Sequence, residues 1–145
     1  MSEDKFSGLS QVSHNFLRLA EHPVNIGSIE DCSGKGSAVG QCGDSMEVFL
    51  KIEGDTIKEV KVRPQGCIYT WVCASAMSEM AQGRQIDEAL RIEPEELAGK
   101  LGGLPEDHLH CARLALNTLG EAIGDYYKAK SANGRHEPTG LTKKA

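Results

Sequence analysis

Two stretches in the first half of the chain alternate apolar and polar side chains with a period of two. The first covers 46–53, the second covers 59–63, and Gly54-Asp55 lies between them. Such alternation places every second side chain on one face of a β-strand, and a Gly-Asp pair favours a tight turn. The pattern predicts an antiparallel hairpin with one buried face, joined by a shorter strand around 37–41.

The apolar period changes to three and four on the C-terminal side of Gly66, which is typical of amphipathic helices. Predicted helices cover 73–80, 86–90, 95–101 and 109–126, and another precedes the strands at 9–21. A run of strands followed by a run of helices favours an α+β fold. In this fold a small antiparallel sheet of about three strands has helices packed on one face.

The segment Gly34-Lys35-Gly36-Ser37 resembles part of a phosphate-binding loop. A Walker loop would need Gly where Ile29 stands and Ser or Thr directly after the Lys, so this function is excluded. The segment 24–37 is rich in Gly and Ser and is therefore predicted to be a plain loop.

The length of 145 residues is typical of one domain, which we place at 1–127. Residues 128–145 carry five Lys and Arg against one Glu, a net charge of +4, and are predicted to be a basic, flexible tail. Because the whole chain has a net charge of −5, the body carries −9. An acidic body with 5% aromatic residues offers no face for a phosphate backbone, which argues against nucleic acid as a partner.

No apolar run reaches the roughly 18 residues that a membrane span needs. Residues 1–5 lack the basic-then-apolar order of a signal peptide. We therefore expect a cytoplasmic protein without membrane contact. Disulfides are rare in a reducing compartment, so the five cysteines are expected to be metal ligands, nucleophiles or core residues.

Three of the cysteines stand at the ends of predicted elements. Cys42 precedes the first strand of the hairpin, Cys67 follows the second, and Cys111 lies in the first turn of the long helix. Antiparallel strands bring Cys42 and Cys67 to the same end of the hairpin. A helix N-terminus favours the thiolate form of Cys111. Thiolates select zinc or iron–sulfur clusters over hard cations, although unrelated core or surface thiols stay an alternative.

Other donors lie near these cysteines in the sequence. Asp44, His108 and His110 are supplementary ligands in this interpretation. Cys73 lies on the apolar stripe of its helix, which favours a core position, and is kept as an additional donor. Cys32 lies in the predicted loop and is interpreted as an exposed thiol without a role.

The combination of Cys42-Gly43-Asp44, Gly66-Cys67 and His110-Cys111 resembles the IscU/NifU-type iron–sulfur cluster assembly scaffolds, the NifU N-terminal-like family. The similarity runs from His22 to Tyr126. It implies a scaffold, not an enzyme, on which Cys42, Cys67 and Cys111 hold a nascent [2Fe–2S] cluster or iron, or zinc at rest. It also implies that Asp44 keeps the cluster labile and that Cys111 accepts sulfur from a cysteine desulfurase. Apo iron–sulfur proteins would then receive the cluster.

Two segments depart from the family pattern. After Cys67, where members have small residues, this chain has the bulkier run 68–73. In place of the Leu-Pro-Pro-Val-Lys segment, which a dedicated chaperone reads, it has Leu104-Pro105-Glu106-Asp107-His108. Chaperone-assisted transfer is therefore an open point, and His108 adds a second nitrogen donor near the site.

Other functions stay open at this point. A zinc-dependent sulfurtransferase would bind metal through Cys42 and Cys67 and accept persulfide from a cysteine desulfurase at Cys111 or Cys73. A structural zinc domain would close the site with four ligands. A thiol hydrolase that pairs Cys111 with His110 is disfavoured, because side chains at i and i+1 on a helix do not face each other. The sequence also leaves open whether one chain holds the cluster or a homodimer shares it.

Overall fold

A three-stranded antiparallel sheet lies at the centre of the fold. In the computed structural model, which describes residues 14–134, the strands are β1 (Gly34–Val39), β2 (Ser45–Glu53) and β3 (Thr56–Gln65). They lie side by side in the order β1-β2-β3. At the predicted turn between β2 and β3, Gly54 and Asp55 have φ values of 57° and 65°. Positive φ at both central residues is what a two-residue type I′ hairpin turn requires.

The helices precede and follow the sheet in the chain. They are α1 (described over 14–21), α2 (Ile68–Ala81), α3 (Ile86–Ala89), α4 (Pro94–Lys100) and α5 (Leu109–Gly134), with a 3₁₀ turn at Glu106–His108. Helix α2 packs against β3, and α5 packs against β1 and β2. None of these helices combines the length and the apolar character that crossing a membrane would need.

The helices cover one face of the sheet, as predicted. The cross-strand row Gly36, Val48 and Val62 faces them and is buried. The adjacent row on the other face, Ser37, Glu47 and Arg63, is exposed or half-buried. The predicted α+β architecture is therefore confirmed.

Strand β1 begins earlier than the pattern predicts. The predicted loop over 24–37 and strand around 37–41 are wrong at their boundaries, because β1 starts at Gly34 and residues 40–44 form the turn into β2. Gly34 and Gly36 lie directly against the backbone of α5. A Cβ atom on Gly36 would lie 2.5 Å from the backbone nitrogen of Ala122. Because these glycines have no side chain, β1 can lie directly against α5. A short stretch of sequence does not reveal this contact between distant parts of the chain.

Helix α5 is longer than its apolar stripe. The stripe predicts a helix over 109–126, whereas the observed helix continues to Gly134. The segment predicted to be a tail, 128–145, thus begins as a helix, and its remainder lies outside the described residues. The N-terminal part of the predicted helix at 9–21 also lies outside them.

The core lies between the sheet and helices α2 and α5. Most of its side chains are aliphatic, and it includes Cys73 and Cys111, both with 0% exposure. Among the residues for which burial is described, Asp44 is the one charged side chain that is buried, with 7% exposure. A buried carboxylate is costly unless it is paired or binds a cation, so its surroundings indicate where the chemistry lies.

Candidate metal centre

The predicted donors meet at one end of the sheet. The β1–β2 turn carries Cys42 and Asp44, Cys67 caps the N-terminus of α2, and Cys111 is the third residue of α5. A cavity of about 690 Å³ opens here, and its lining includes Cys42, Asp44, Cys67, His108 and His110. The expectation that Cys42 and Cys67 lie at the same end of the hairpin agrees with this arrangement. Cys32 lies elsewhere, since the neighbouring Ser33 bonds to Leu50 near the other end of β1.

Two groups of three donors converge in this region. Cys67, His108 and Cys111 form one group, and Asp44, His110 and Cys111 form the other. Within each group the ligand atoms lie within 4.8 Å of one another. Cys111 belongs to both groups, and Cys42 lines the cavity without belonging to either. The arrangement therefore offers soft and hard donors to the same small volume.

Thr70 connects the acidic and the thiol donors. Its hydroxyl donates a hydrogen bond to Oδ2 of Asp44 at 3.0 Å. The hydroxyl oxygen of Thr70 also lies 3.7 Å from Sγ of Cys67 and 3.9 Å from Sγ of Cys111. Thr70 is not among the donors predicted from the sequence. Its role depends on the distance between α2 and the β1–β2 turn, which no sequence pattern gives.

The second oxygen of Asp44 has no partner. Oδ1 is buried and forms no hydrogen bond to any residue between 14 and 134. The space around it is tight, since a Cβ atom on Gly40 would lie 2.5 Å from Oδ1. Leaving an acceptor atom of a buried charged group without a hydrogen bond lowers the stability of the fold by more than about 1–3 kcal/mol. A carboxylate oxygen of Asp44 lies within 4.8 Å of the donor atoms of His110 and Cys111, so this side chain is suited to bind a cation together with them.

His110 contacts Cys111, contrary to the expectation from a regular helix. Nε2 of His110 lies 3.7 Å from Sγ of Cys111. Both residues belong to the first turn of α5, directly after the 3₁₀ turn. The argument that adjacent residues on a helix do not face each other therefore fails at this position.

The thiols differ in their protonation equilibria. Partial desolvation opposes ionisation of Cys67, but the backbone N–H and hydroxyl of Thr70 and the N–H of Tyr69 lower its pKa below the ordinary thiol value. Burial raises the pKa of Cys111 to about 11. Burial also raises the pKa of Cys73, which lies within the core. Cys67, which is exposed, is thus the more readily ionised and accessible thiol, whereas the sequence favours Cys111 as the thiolate.

Comparisons with known proteins find relatives that are similar over most of the chain. The family model "NifU-like N terminal domain" matches residues 11–133. "Iron-sulfur cluster assembly scaffold protein IscU 1" of Archaeoglobus fulgidus is 38% identical over 125 residues, which cover 85% of this chain and 81% of the relative. The IscU scaffold protein of Aquifex aeolicus is 37% identical over 108 residues, which cover 72% of this chain and 69% of the relative.

Solved structures share the fold. A putative scaffold protein for the SUF system from Fervidobacterium islandicum superposes with a TM-score of 0.63 at 20% identity, covering 79% of this chain and 97% of the other. A NifU-like N-terminal protein from Brucella abortus gives 0.63 at 15% identity and covers 83% and 98%. At these identities the superpositions establish the fold alone.

Proposed function

Since the chain belongs to the family of NifU-like N-terminal domains, we propose that it is an iron–sulfur cluster assembly scaffold that builds a [2Fe–2S] cluster and passes it to apoproteins. The observation that carries this proposal is that two three-donor groups share Cys111 and that all their other members line one cavity. Thiolates and imidazoles are the protein ligands of iron–sulfur clusters, whereas a carboxylate is a harder and weaker ligand. A mixed set of donors suits a cargo that has to leave again.

We assign the thiolate ligands of the cluster to Cys42, Cys67 and Cys111, with His110 as an additional nitrogen donor. The sulfur atoms of Cys67 and Cys111 lie 3.7 and 3.9 Å from the hydroxyl oxygen of Thr70. Cys42 lies in the turn that borders the same cavity. Thiolate and imidazole donors also suit Zn²⁺ in the resting protein, because zinc takes four ligands from Cys, His and Asp.

Asp44 is assigned the role of the exchangeable ligand. Thr70 donates a hydrogen bond to Oδ2, and Oδ1 forms no hydrogen bond to any residue between 14 and 134. One carboxylate oxygen of Asp44 lies within 4.8 Å of the donor atoms of His110 and Cys111. A bond from this hard donor to iron would break more easily than a thiolate bond.

Sulfur arrives as a persulfide carried by a cysteine desulfurase. The thiolate of the scaffold attacks the outer sulfur, an S–S bond forms on the scaffold, and the desulfurase cysteine leaves as a thiolate. Cys67 is suited to this step because it is exposed and its pKa is lowered. Burial raises the pKa of Cys111 to about 11, so its thiol is mainly protonated at pH 7.

Metal and sulfide analysis tests the proposed function. The protein is incubated anaerobically with a cysteine desulfurase, cysteine and ferrous iron, and iron, zinc and acid-labile sulfide are measured per chain. We expect iron and sulfide in matching amounts and transfer of both to an apo-ferredoxin. Zinc that persists without iron uptake, together with turnover of persulfide, would instead favour the zinc-dependent sulfurtransferase.

The first sulfur atom is expected on Cys67. When the protein is incubated with desulfurase and cysteine but no iron, alkylated and mapped by mass spectrometry, most of the persulfide should lie on this residue. The substitution Cys67→Ser should remove most of the label, and Cys32→Ser should leave it unchanged. A label that lies mainly on Cys111 would contradict this order and return the role to the residue that the sequence favours.

Replacing Asp44 with Ala is expected to trap the cluster. Without the exchangeable ligand, transfer to apo-ferredoxin should slow by about tenfold or more. Asp44→Asn keeps an acceptor for Thr70 and separates loss of the carboxylate from loss of that hydrogen bond. Asp107→Ala is the matched control, because this exposed carboxylate lines the same cavity without belonging to either donor group. Transfer that is unchanged or faster in Asp44→Ala would refute the role of Asp44.

A further inference from the structure

We propose that His108 is a ligand for a single Zn²⁺ or Fe²⁺ ion, which it binds together with Cys67 and Cys111, and that Tyr69 positions its ring. The inference rests on the proposed function in one respect, namely that this cavity takes a metal. It adds a donor at a position where the family pattern has Lys. It also gives a role to Tyr69, which belongs to the bulky run after Cys67.

The position of His108 follows from the 3₁₀ turn that precedes α5. His108 is the last residue of this turn, three positions before Cys111. One of its ring nitrogens lies within 4.8 Å of the sulfur atoms of both Cys67 and Cys111. Two thiolates and an imidazole are three of the four donors of a tetrahedral zinc site. Cys42 lines the same cavity and is the candidate for the fourth position.

The ring of His108 has an unsatisfied polar atom. Nδ1 is buried and forms no hydrogen bond within the part of the chain that the structure describes. Metal-ligating histidines bind the metal through one ring nitrogen and donate a hydrogen bond from the other. No hydrogen bond from Nδ1 therefore has to be broken when this imidazole binds an ion.

Tyr69 fixes the plane of the imidazole. The two rings stack with centroids 3.8 Å apart and an angle of 15° between their planes. Phe16 of α1 supports Tyr69 from another side, at a centroid distance of 5.4 Å. Tyr69 lies two residues after Cys67 on α2. The same helix turn thus positions both a thiol and the imidazole, so the two departures from the family pattern form one contact.

The donors divide into two overlapping sets with different chemistry. Cys67, His108 and Cys111 are nitrogen and sulfur donors, which suit Zn²⁺ and Fe²⁺. Asp44 and His110 join Cys111 in the other set. When the first set binds a single ion, Asp44 is not one of its ligands. Binding of a single ion in the absence of a cluster therefore does not require Asp44, the ligand that we assign to cluster release.

Metal binding by the full chain, purified anaerobically and stripped of metal, tests the inference. Zinc affinity is measured by competition with a chromogenic chelator, and ligand type is read from the d–d absorption of bound Co²⁺. In His108→Ala, zinc affinity should fall by about tenfold or more, and the Co²⁺ bands should change. His22→Ala, which alters an exposed histidine outside the cavity, should behave as the unaltered protein does.

Substitutions at Tyr69 test its positioning role. Tyr69→Phe keeps the stacked ring and should preserve both the zinc affinity and the Co²⁺ spectrum. Tyr69→Leu should weaken zinc binding and broaden the Co²⁺ bands, although all donors are still present. Circular dichroism of the metal-free variants checks folding, and His108→Gln replaces His108→Ala if the latter is unfolded.

Wild-type zinc affinity and an unaltered Co²⁺ spectrum in the His108 variants would overturn the inference. Cluster assembly by the unaltered protein is measured in parallel. If it assembles iron and sulfide while His108→Ala binds zinc normally, only the role of His108 fails. If it binds neither metal nor cluster, the proposed function fails as well.

Discussion

Replacing Cys111 with Ser is expected to abolish cluster assembly. Cys111 is the one donor common to both groups, so its loss leaves two donors in each. A serine hydroxyl is a hard ligand that stays protonated at neutral pH, and it does not substitute for a thiolate on iron. Iron and acid-labile sulfide per chain should fall at least about tenfold in the anaerobic assembly assay.

The same substitution at Cys32 provides the control for this result. Cys32 lies outside the cavity, so Cys32→Ser should retain iron and sulfide at the level of the unaltered protein. Because Cys111 is fully buried, circular dichroism of the metal-free Cys111→Ser protein must confirm that it is folded. A folded Cys111→Ser protein that still assembles the cluster would contradict the assignment of Cys111 as the shared ligand.

Adding a methyl group at Gly36 is expected to destabilise the whole domain. A Cβ atom there would lie 2.5 Å from the backbone nitrogen of Ala122 and 2.8 Å from atoms of Glu121. Since the contact is with helix backbone, α5 has to move away from β1. Overpacking of this kind costs about 1–3 kcal/mol, which lowers Tm by about 2–4 °C per kcal/mol at this chain length.

Gly124 provides a matched control on the same helix. It is exposed, and a Cβ atom there would have nothing within 4 Å. Gly124→Ala should therefore raise the stability by about 0.5–1 kcal/mol, because alanine favours a helix interior. Thermal unfolding of both variants measures the contrast. An unchanged Tm in Gly36→Ala would contradict the prediction, because β1 and α5 would then accommodate the methyl group without losing packing.

The sheet and the helices could be predicted because their signals are local. The alternation on both sides of Gly54-Asp55 fixes the hairpin, and the stripe from Leu109 to Tyr126 identifies most of α5. The start of β1 could not be predicted in this way. Gly34 is a strand residue only because a helix that lies far along the chain packs against it, and no window around residue 34 contains that helix.

The candidate site could be predicted in its residue types but not in its contacts. The thiols at the ends of elements and the adjoining Asp44 follow from spacing and resemblance. Thr70 could not be found this way, because its role depends on the distance between α2 and the β1–β2 turn. The difference between Cys67 and Cys111 likewise depends on burial, which the spacing of cysteines does not determine.

The donors of the cavity come from three separate parts of the chain, in the β1–β2 turn, at the start of α2 and at the start of α5. An unfolded chain holds these parts far apart, so the site does not exist before the sheet has formed and both helices have docked on it. Small zinc domains use the metal to drive folding. In this protein an extensive apolar core joins the same elements, so packing of that core brings the donors together. The geometry of the site therefore depends on the docking of both helices on the sheet.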